Sequence, residues 1–218
     1  MKVVYLSKRR AGVSHDELVR MWRDVNVGDV AASLRPDRYV VTFFQPHPKR
    51  PEHSWDGMAV VWFDDAERGQ ALTQGIPEPA RRNGFADLLG DVVRFEADEH
   101  TFYERPGSPR RTGGLKLTFL VVARPGVSPA TVTEHWVGVH GPAVAAPMAS
   151  IPGAVRYVAS PAVAADATAD DLPYVGVTEL TYDDWDASNA HAAALGDDGF
   201  TALADNRIFL VGEELVVV

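Results

Sequence analysis

Cysteine is missing from all 218 residues, which removes disulfides, thiolate nucleophiles and thiolate metal sites together. No apolar run approaches the roughly 18 residues of a membrane-spanning helix. There is no glycine-rich phosphate loop, because Gly113-Gly114 precedes a strand pattern and not a helix. Serine nucleophile elbows and the H-E-x-x-H zinc spacing are absent as well. Positive charge is scarce in one half only. Residues 115–218 hold 4 Lys/Arg against 13 Asp/Glu, whereas residues 1–114 hold 17 of each. The net charge of −9 therefore falls on the second half, which argues against nucleic acid or an anionic membrane as partner. The stretch from Met1 to Tyr5 runs straight into Lys8-Arg9-Arg10 with no signal-peptide pattern, so a cytoplasmic location is the expectation.

What is present is a pattern written twice. At an offset of 114, Gly12-Val13-Ser14 falls on Gly126-Val127-Ser128, Trp22 on Trp136 and Val25 on Val139. Further on, Arg38-Tyr39-Val40 meets Arg156-Tyr157-Val158, and Phe63-Asp64-Asp65 meets Tyr182-Asp183-Asp184, as the offset drifts to 118 and 119. Loops of different length joining the same elements produce such a drift. Each copy is the size of a small domain, so the pattern predicts two units, residues 1–104 and 115–218. The Pro/Gly/Arg-rich stretch 105–114 reads as a linker.

Each copy opens with a β-branched, apolar strand (2–7 and 116–122) and a glycine turn. A helix start comes next. Ser14 with Glu17 forms a capping box, and Ser128 caps with Pro129 at the first helical position. Leu18, Met21, Trp22 and Val25, like Val132, His135, Trp136 and Val139, recur at helical spacing and predict a buried stripe. The second helix is expected to stop at His140-Gly141-Pro142. Two strands succeed it (38–44 with 57–63, and 155–160 with 174–182), then a short helix opened by paired aspartates, and a last strand (92–102, and 208–218). The order β-α-β-β-α-β is the ferredoxin-like unit, an α+β plan with both helices on one sheet face. Its other face needs cover, so the two sheets are expected to meet face to face as a dimeric α/β-barrel within one chain.

These motifs resemble the EthD family of the dimeric α/β-barrel superfamily. The resemblance rests on Ala123-Arg124-Pro125-Gly126-Val127-Ser128, on Trp136-Val137-Gly138-Val139-His140-Gly141-Pro142, and on Arg156-Tyr157 and Glu179-Leu180-Thr181-Tyr182-Asp183. The first half joins it through Gly12-Val13-Ser14, Trp22, Arg38-Tyr39 and Trp62-Phe63-Asp64. It implies a pocket between sheet and helices for a small apolar or aromatic molecule, acid–base chemistry and no cofactor or metal. Other branches of the superfamily bind haem or oxygenate quinols without a cofactor. The positions that match the family's pocket residues are His140 and Tyr157 in the second copy, and Asn26 and Tyr39 in the first. Where the second copy has Glu179 the first has Val60, so only the second keeps ionisable groups for proton transfer.

The expected catalytic set is therefore His140 as base, Tyr157 as partner of a developing oxyanion and Glu179 as orienter. Asn26, Tyr39, Trp136 and Phe119 are expected to contact the substrate. Structural alternatives stand beside each: His140 at a helix terminus favoured by the dipole, Tyr157 and Tyr39 as core residues, and Glu179 paired with Arg156. His47 and His53 flank a proline-rich loop without a metal-binding spacing, and His15, His135 and His100 carry weaker signals. The expected function is a cofactor-independent lyase, isomerase or cyclase acting on a small aromatic or polyketide-like molecule. The alternatives are a haem-dependent or cofactor-free oxygenase, and a non-catalytic ligand-binding accessory protein. Exposed sheet edges make pairing of two chains into a homodimer an expectation too.

Overall fold

The computed structural model describes residues 1–46, 55–107, 113–163 and 174–218. The loop bearing His47 and His53, and the middle of the 105–114 linker, lie outside the described residues. The chain divides into two compact units, Met1–Ala97 with Gly212–Val218, and Asp98–Val211. The segments 98–104 and 212–218 thus count with the unit opposite to the one the sequence pattern assigns them.

Unit 1 runs β1 (Lys2–Arg9), α1 (His15–Met21), a π-turn over Trp22–Asn26 and α2 (Val27–Leu34). It continues through β2 (Arg38–Phe44), β3 (Gly57–Trp62), α3 (Ala66–Thr73), α4 (Glu78–Arg82) and β4 (Leu89–Ala97). Its strands lie in the order β4-β1-β3-β2 with antiparallel neighbours. The residues from Gly212 onward, the end of β9 (Ala204–Val216), pair with the free side of β2. Unit 2 holds β5 (His100–Glu104), β6 (Leu115–Ala123), α5 (Pro129–His135), a second π-turn over Trp136–His140 and α6 (Gly141–Ala145). Then come β7 (Ala154–Pro161), β8 (Gly176–Tyr182), α7 (Trp185–Ala194), α8 (Phe200–Leu203) and the start of β9. The strand order here is β9-β6-β8-β7-β5. The architecture is mixed α+β on antiparallel sheets.

Local chemistry explains the element starts. Ser14 accepts from the Glu17 amide and Ser128 from the Thr131 amide, so each caps its helix as the sequence predicts. Asp65 and Asp184 cap α3 and α7 in the same way. The final strand predicted over 92–102 is in fact two, because β4 pairs with β1 whereas β5 pairs with β7. The helix predicted to end at Gly141-Pro142 continues through α6. Pro142 is tolerated because it stands in the first turn after a change of hydrogen-bond register, where a missing amide is not needed.

The π-turns also move the buried stripe. Val27 donates its amide to the Trp22 carbonyl and Gly141 to the Trp136 carbonyl, each five residues back. One extra residue in a turn rotates the following helix by about 100°. Val25 and Val139, expected on the stripe, are 38% and 47% exposed, and Asn26 is buried in place of Val25.

In unit 1 the helix side of the sheet is closed by Leu18, Trp22, Val27 and Val30 over Val3, Tyr39, Val41 and Val61. In unit 2, Val144, Met148 and Ala187 cover Leu117, Tyr157, Leu180 and Tyr182. A buried relay ties these helices to the sheet. The Tyr182 hydroxyl donates to His191 Nδ1 (2.5 Å) and His191 Nε2–H donates to the Val144 carbonyl (2.8 Å). Burial pushes the His191 imidazole below its ordinary value of 6.5, and the Val144 hydrogen bond offsets only part of this.

The folded chain thus keeps His191 neutral, whereas the unfolded chain protonates it near 6.5. Its contribution to stability is complete above that pH and is lost as pH falls through the lowered value. Urea midpoints measured between pH 8 and pH 5 should fall with pH, and His191→Gln should flatten that slope. Gly141 gives a second test. A Cβ there would run into the Phe102 ring. Gly141→Ala should cost about 1–3 kcal/mol by overpacking, and most of the loss should return in the double variant with Phe102→Leu.

Candidate active site

In unit 2 the π-turn ends on His140, whose Nδ1 lies 2.6 Å from Asp198 Oδ2. A carboxylate only accepts, so Nδ1 carries the proton and Nε2 presents its lone pair. Asp198 is fixed in turn, because its Oδ1 accepts the Phe200 amide at 3.0 Å. Gly199, between them, has φ of +84°, which explains glycine there. The imidazole stacks on the Phe200 ring, centroids 4.0 Å apart and planes within 9°. His140 and Asp198 are about one-fifth exposed, so the dyad is reachable from solvent.

Burial pushes the His140 imidazole down, and hydrogen bonding and charge from Asp198 restore part of the fall. For Asp198, burial alone acts upward. The Phe200 amide and His140 outweigh it and hold the carboxyl below its ordinary value. The dyad at neutral pH is a neutral imidazole beside a carboxylate.

Tyr157, on β7, is fully buried and its hydroxyl has no hydrogen-bond partner among the described residues. The Trp136 indole N–H, fully buried on the π-turn and close to that hydroxyl, likewise has no hydrogen-bond partner of good geometry among the described residues. Burial raises the Tyr157 phenol far above its ordinary range, with Asp198 adding to the rise, so it stays protonated and can donate. His135 Nε2, beside Phe200, is another buried polar atom without a partner among the described residues. Phe102 of β5 stacks on Tyr157 with centroids 5.4 Å apart.

Of the residues singled out from sequence, His140, Tyr157 and Trp136 gather here. Phe119 lies on the same sheet face but packs on Phe209, 5.0 Å away. Glu179 stands opposite Thr118 and Val158, on the strand side away from Leu180 and Tyr157, and pairs with Lys116 at 2.8 Å. The carboxylate that reaches His140 is Asp198. Arg156, offered as a partner for Glu179, pairs with Glu99 and Glu104. Asp198 carries a signal that sequence reading missed: Asp198-Gly199-Phe200 matches Asn83-Gly84-Phe85 at an offset of 115.

Unit 1 repeats the geometry with amides. Asn26 ends the first π-turn and its Oδ1 accepts weakly from Asn83 Nδ2 (3.4 Å), while Asn83 Oδ1 caps the Phe85 amide (3.0 Å). Tyr39 and Trp22 stand as Tyr157 and Trp136 do, both buried. No group in that set exchanges a proton near neutrality.

Asp198→Asn keeps the Phe200 cap but removes the charge that lifts His140. The imidazole should then titrate at a lower pH than in the parent, read from its ring resonances by NMR. An unchanged titration would break the dyad assignment.

Residues 124–209 match the family model described as the EthD domain. No curated protein matches the sequence. An anthrone oxidase-like protein of known structure superimposes with a TM-score of 0.60 at 14% identity, over 100% of this chain and 91% of that one. A monooxygenase-like protein from Lactobacillus acidophilus NCFM gives 0.54 at 12% identity, over 100% and 93%. A chlorite dismutase variant from Candidatus Nitrospira defluvii gives 0.56 at 9% identity, over 99% and 92%. The expectation of a cofactor-independent lyase, isomerase or cyclase is corrected by these neighbours, which stand on the side of the oxygenase alternative. Over residues 124–209 the chain is EthD-like, and over its length it is similar in fold to these solved structures.

Proposed function

We propose that the chain is a cofactor-free oxidase or oxygenase that uses dioxygen on a small phenolic or quinol-type aromatic, with His140 Nε2 as the base. The observation that carries this is the His140–Asp198 dyad, which leaves the Nε2 lone pair free, in the unit where the buried Tyr157 O–H and Trp136 N–H have no hydrogen-bond partner among the described residues. A second inference concerns the scaffold: both units follow one ferredoxin-like plan. The shared element order, the paired π-turns and the Asn83/Asp198 correspondence support it.

Chlorite dismutase and a haem-binding protein are among the neighbours of known structure, so haem has to be tested against the residues present. They do not fit it. The sheet face behind His140 is filled by Trp136, Tyr157 and Met148, all fully buried, which leaves no slot for a macrocycle among the described residues. Both nitrogens of His191 are engaged. No step is therefore assigned to haem.

A phenol is about 3.5 pKa units less acidic than an ordinary imidazolium, roughly 5 kcal/mol uphill for proton transfer. The lowered His140 widens that gap. If the packing around Tyr157 and Trp136 opens to admit the phenolate oxygen, their two donors would supply about 1.5–3 kcal/mol each, enough to close most of it. The electron-rich phenolate then reacts with dioxygen. With a hydroxyanthrone, the activated methylene carbon loses its two hydrogens and takes one oxygen atom as a carbonyl, and the other oxygen leaves with those hydrogens as water. Dioxygen is the only oxidant, and His140 takes up the first proton and returns it to the departing water.

Oxygen uptake by the full chain should therefore be measured with a hydroxyanthrone and with a naphthoquinol. Turnover is expected, and His140→Ala should reduce it by about 10²–10⁴-fold. Tyr157→Phe should lower kcat with the fold retained. Undiminished uptake by His140→Ala, or a Soret band in the purified protein, would falsify the reading.

A further inference from the structure

We propose that Phe102 is the gate and size filter of the unit 2 site. Its ring fills the place between Gly141 and Tyr157 that a substrate ring takes, and the site opens when that ring swings outward. This role rests on the function read from His140, and it supplies the opening which that chemistry needs.

Phe102 owes its position to a bulge. Thr101 lies opposite Val158 and Tyr103 opposite Tyr157, so Phe102 is an extra residue on β5 with no counterpart on β7. An inserted residue bends its strand and re-aims a side chain, and such bulges gather at sheet edges and beside active sites. β5 stands last in the strand order, at an edge. In unit 1 the matching strand is the end of β9, which pairs with β2 in unbroken register from Val40–Val216 to Phe44–Gly212. Residues 212–218 include no aromatic. The inserted ring is therefore a feature of unit 2 alone.

The neighbours of Phe102 set it across the way to the dyad. Three rings run inward from the surface. His100, 32% exposed, stacks on Phe102 with centroids 6.2 Å apart, and Phe102 stacks on the fully buried Tyr157 at 5.4 Å. Phe102 also packs against both apolar clusters of unit 2, one with Tyr157, Val144 and Met148, the other with Trp136, Val132 and Phe200. His140 lies flat on Phe200. A substrate ring held between that imidazole and the Tyr157 phenol takes the space that Phe102 fills.

Both ends of β5 are pinned. The Asp98 amide donates to the Pro161 carbonyl (2.9 Å) and the Arg105 amide to the Val155 carbonyl (2.8 Å). Arg156 donates to Glu99 at 3.2 Å, and Arg105 clasps Asp183 at 2.7 and 3.2 Å. Between these anchors Phe102 is only half-buried, so opening is the rotation of one side chain and not detachment of the strand. The vacated slot is flat, floored by the Tyr157 ring and bounded by the bare backbone at Gly141, which suits a planar aromatic.

2-Naphthol titrated under nitrogen into the full chain, followed by methyl NMR, tests the gate. Saturable shifts are expected at Met148 and Val132, one in each cluster. Phe102→Ala should tighten binding about 10-fold or more and speed exchange, because a closed state no longer competes with the ligand. Phe102→Leu should act in the same direction more weakly, and serves if the alanine variant does not fold. With a hydroxyanthrone in air, the change should fall on KM rather than kcat, which a merely structural role for the ring would not produce. Absence of saturable shifts, or affinity and exchange that are the same in the parent and both variants, overturns the inference. A gate effect on 2-naphthol without oxygen uptake keeps this inference and removes the oxidase reading, whereas oxygen uptake indifferent to residue 102 does the reverse.

Discussion

Gly141 donates its amide to the carbonyl of Trp136, five residues back, where a regular α-helix would use Val137. Val27 does the same to Trp22 in the other unit. Each π-turn stretches its helix by one residue and re-aims the side chains beyond it. Without it Val25 and Val139 would face the core, and Asn26 and His140 would turn away from their partners. A π-turn costs hydrogen-bond quality, so its occurrence at the same place in both units marks a position where orientation outweighs helix regularity.

The Phe102–Gly141 contact shows how tightly that orientation is enforced. The Phe102 ring lies against the backbone at Gly141 and on the face of Tyr157, so the residue after His140 has no room for a side chain. Packing on one side and the Asp198 hydrogen bond on the other leave the imidazole a single arrangement, flat on Phe200. A base is useful only when its proton acceptor is fixed in tautomer and direction, and here the carboxylate sets both.

The two units differ at the matching turn by a few atoms. Asn83-Gly84-Phe85 and Asp198-Gly199-Phe200 make the same capped turn, since amide and carboxylate oxygens accept a backbone amide equally well. Only the carboxylate holds a negative charge against an imidazole, and only unit 2 has the imidazole. The fold tolerates the exchange because the turn needs an acceptor, whereas proton transfer near neutrality needs a titratable pair.

Strand alternation and the Ser and Asp caps were legible in the residues, because each depends on near neighbours in sequence. His140, Tyr157 and Trp136 were singled out through the family resemblance, and the structure puts all three in unit 2. Glu179 was misplaced for a local reason: its carboxylate is one residue from Leu180 on β8, and adjacent strand residues point to opposite faces. Asp198 lies 58 residues from His140 and joins it only when the chain folds back. The π-turns were invisible as well, since apolar spacing is read on a 3.6-residue period that an inserted residue breaks. The sequence by itself determined where the capped helices start and that only the second half has an imidazole at the end of its π-turn. The tertiary structure alone decided which carboxylate meets the imidazole and which face each side chain takes. Those are long-range packing outcomes, fixed by how the helices seat on the sheet and not by any local propensity.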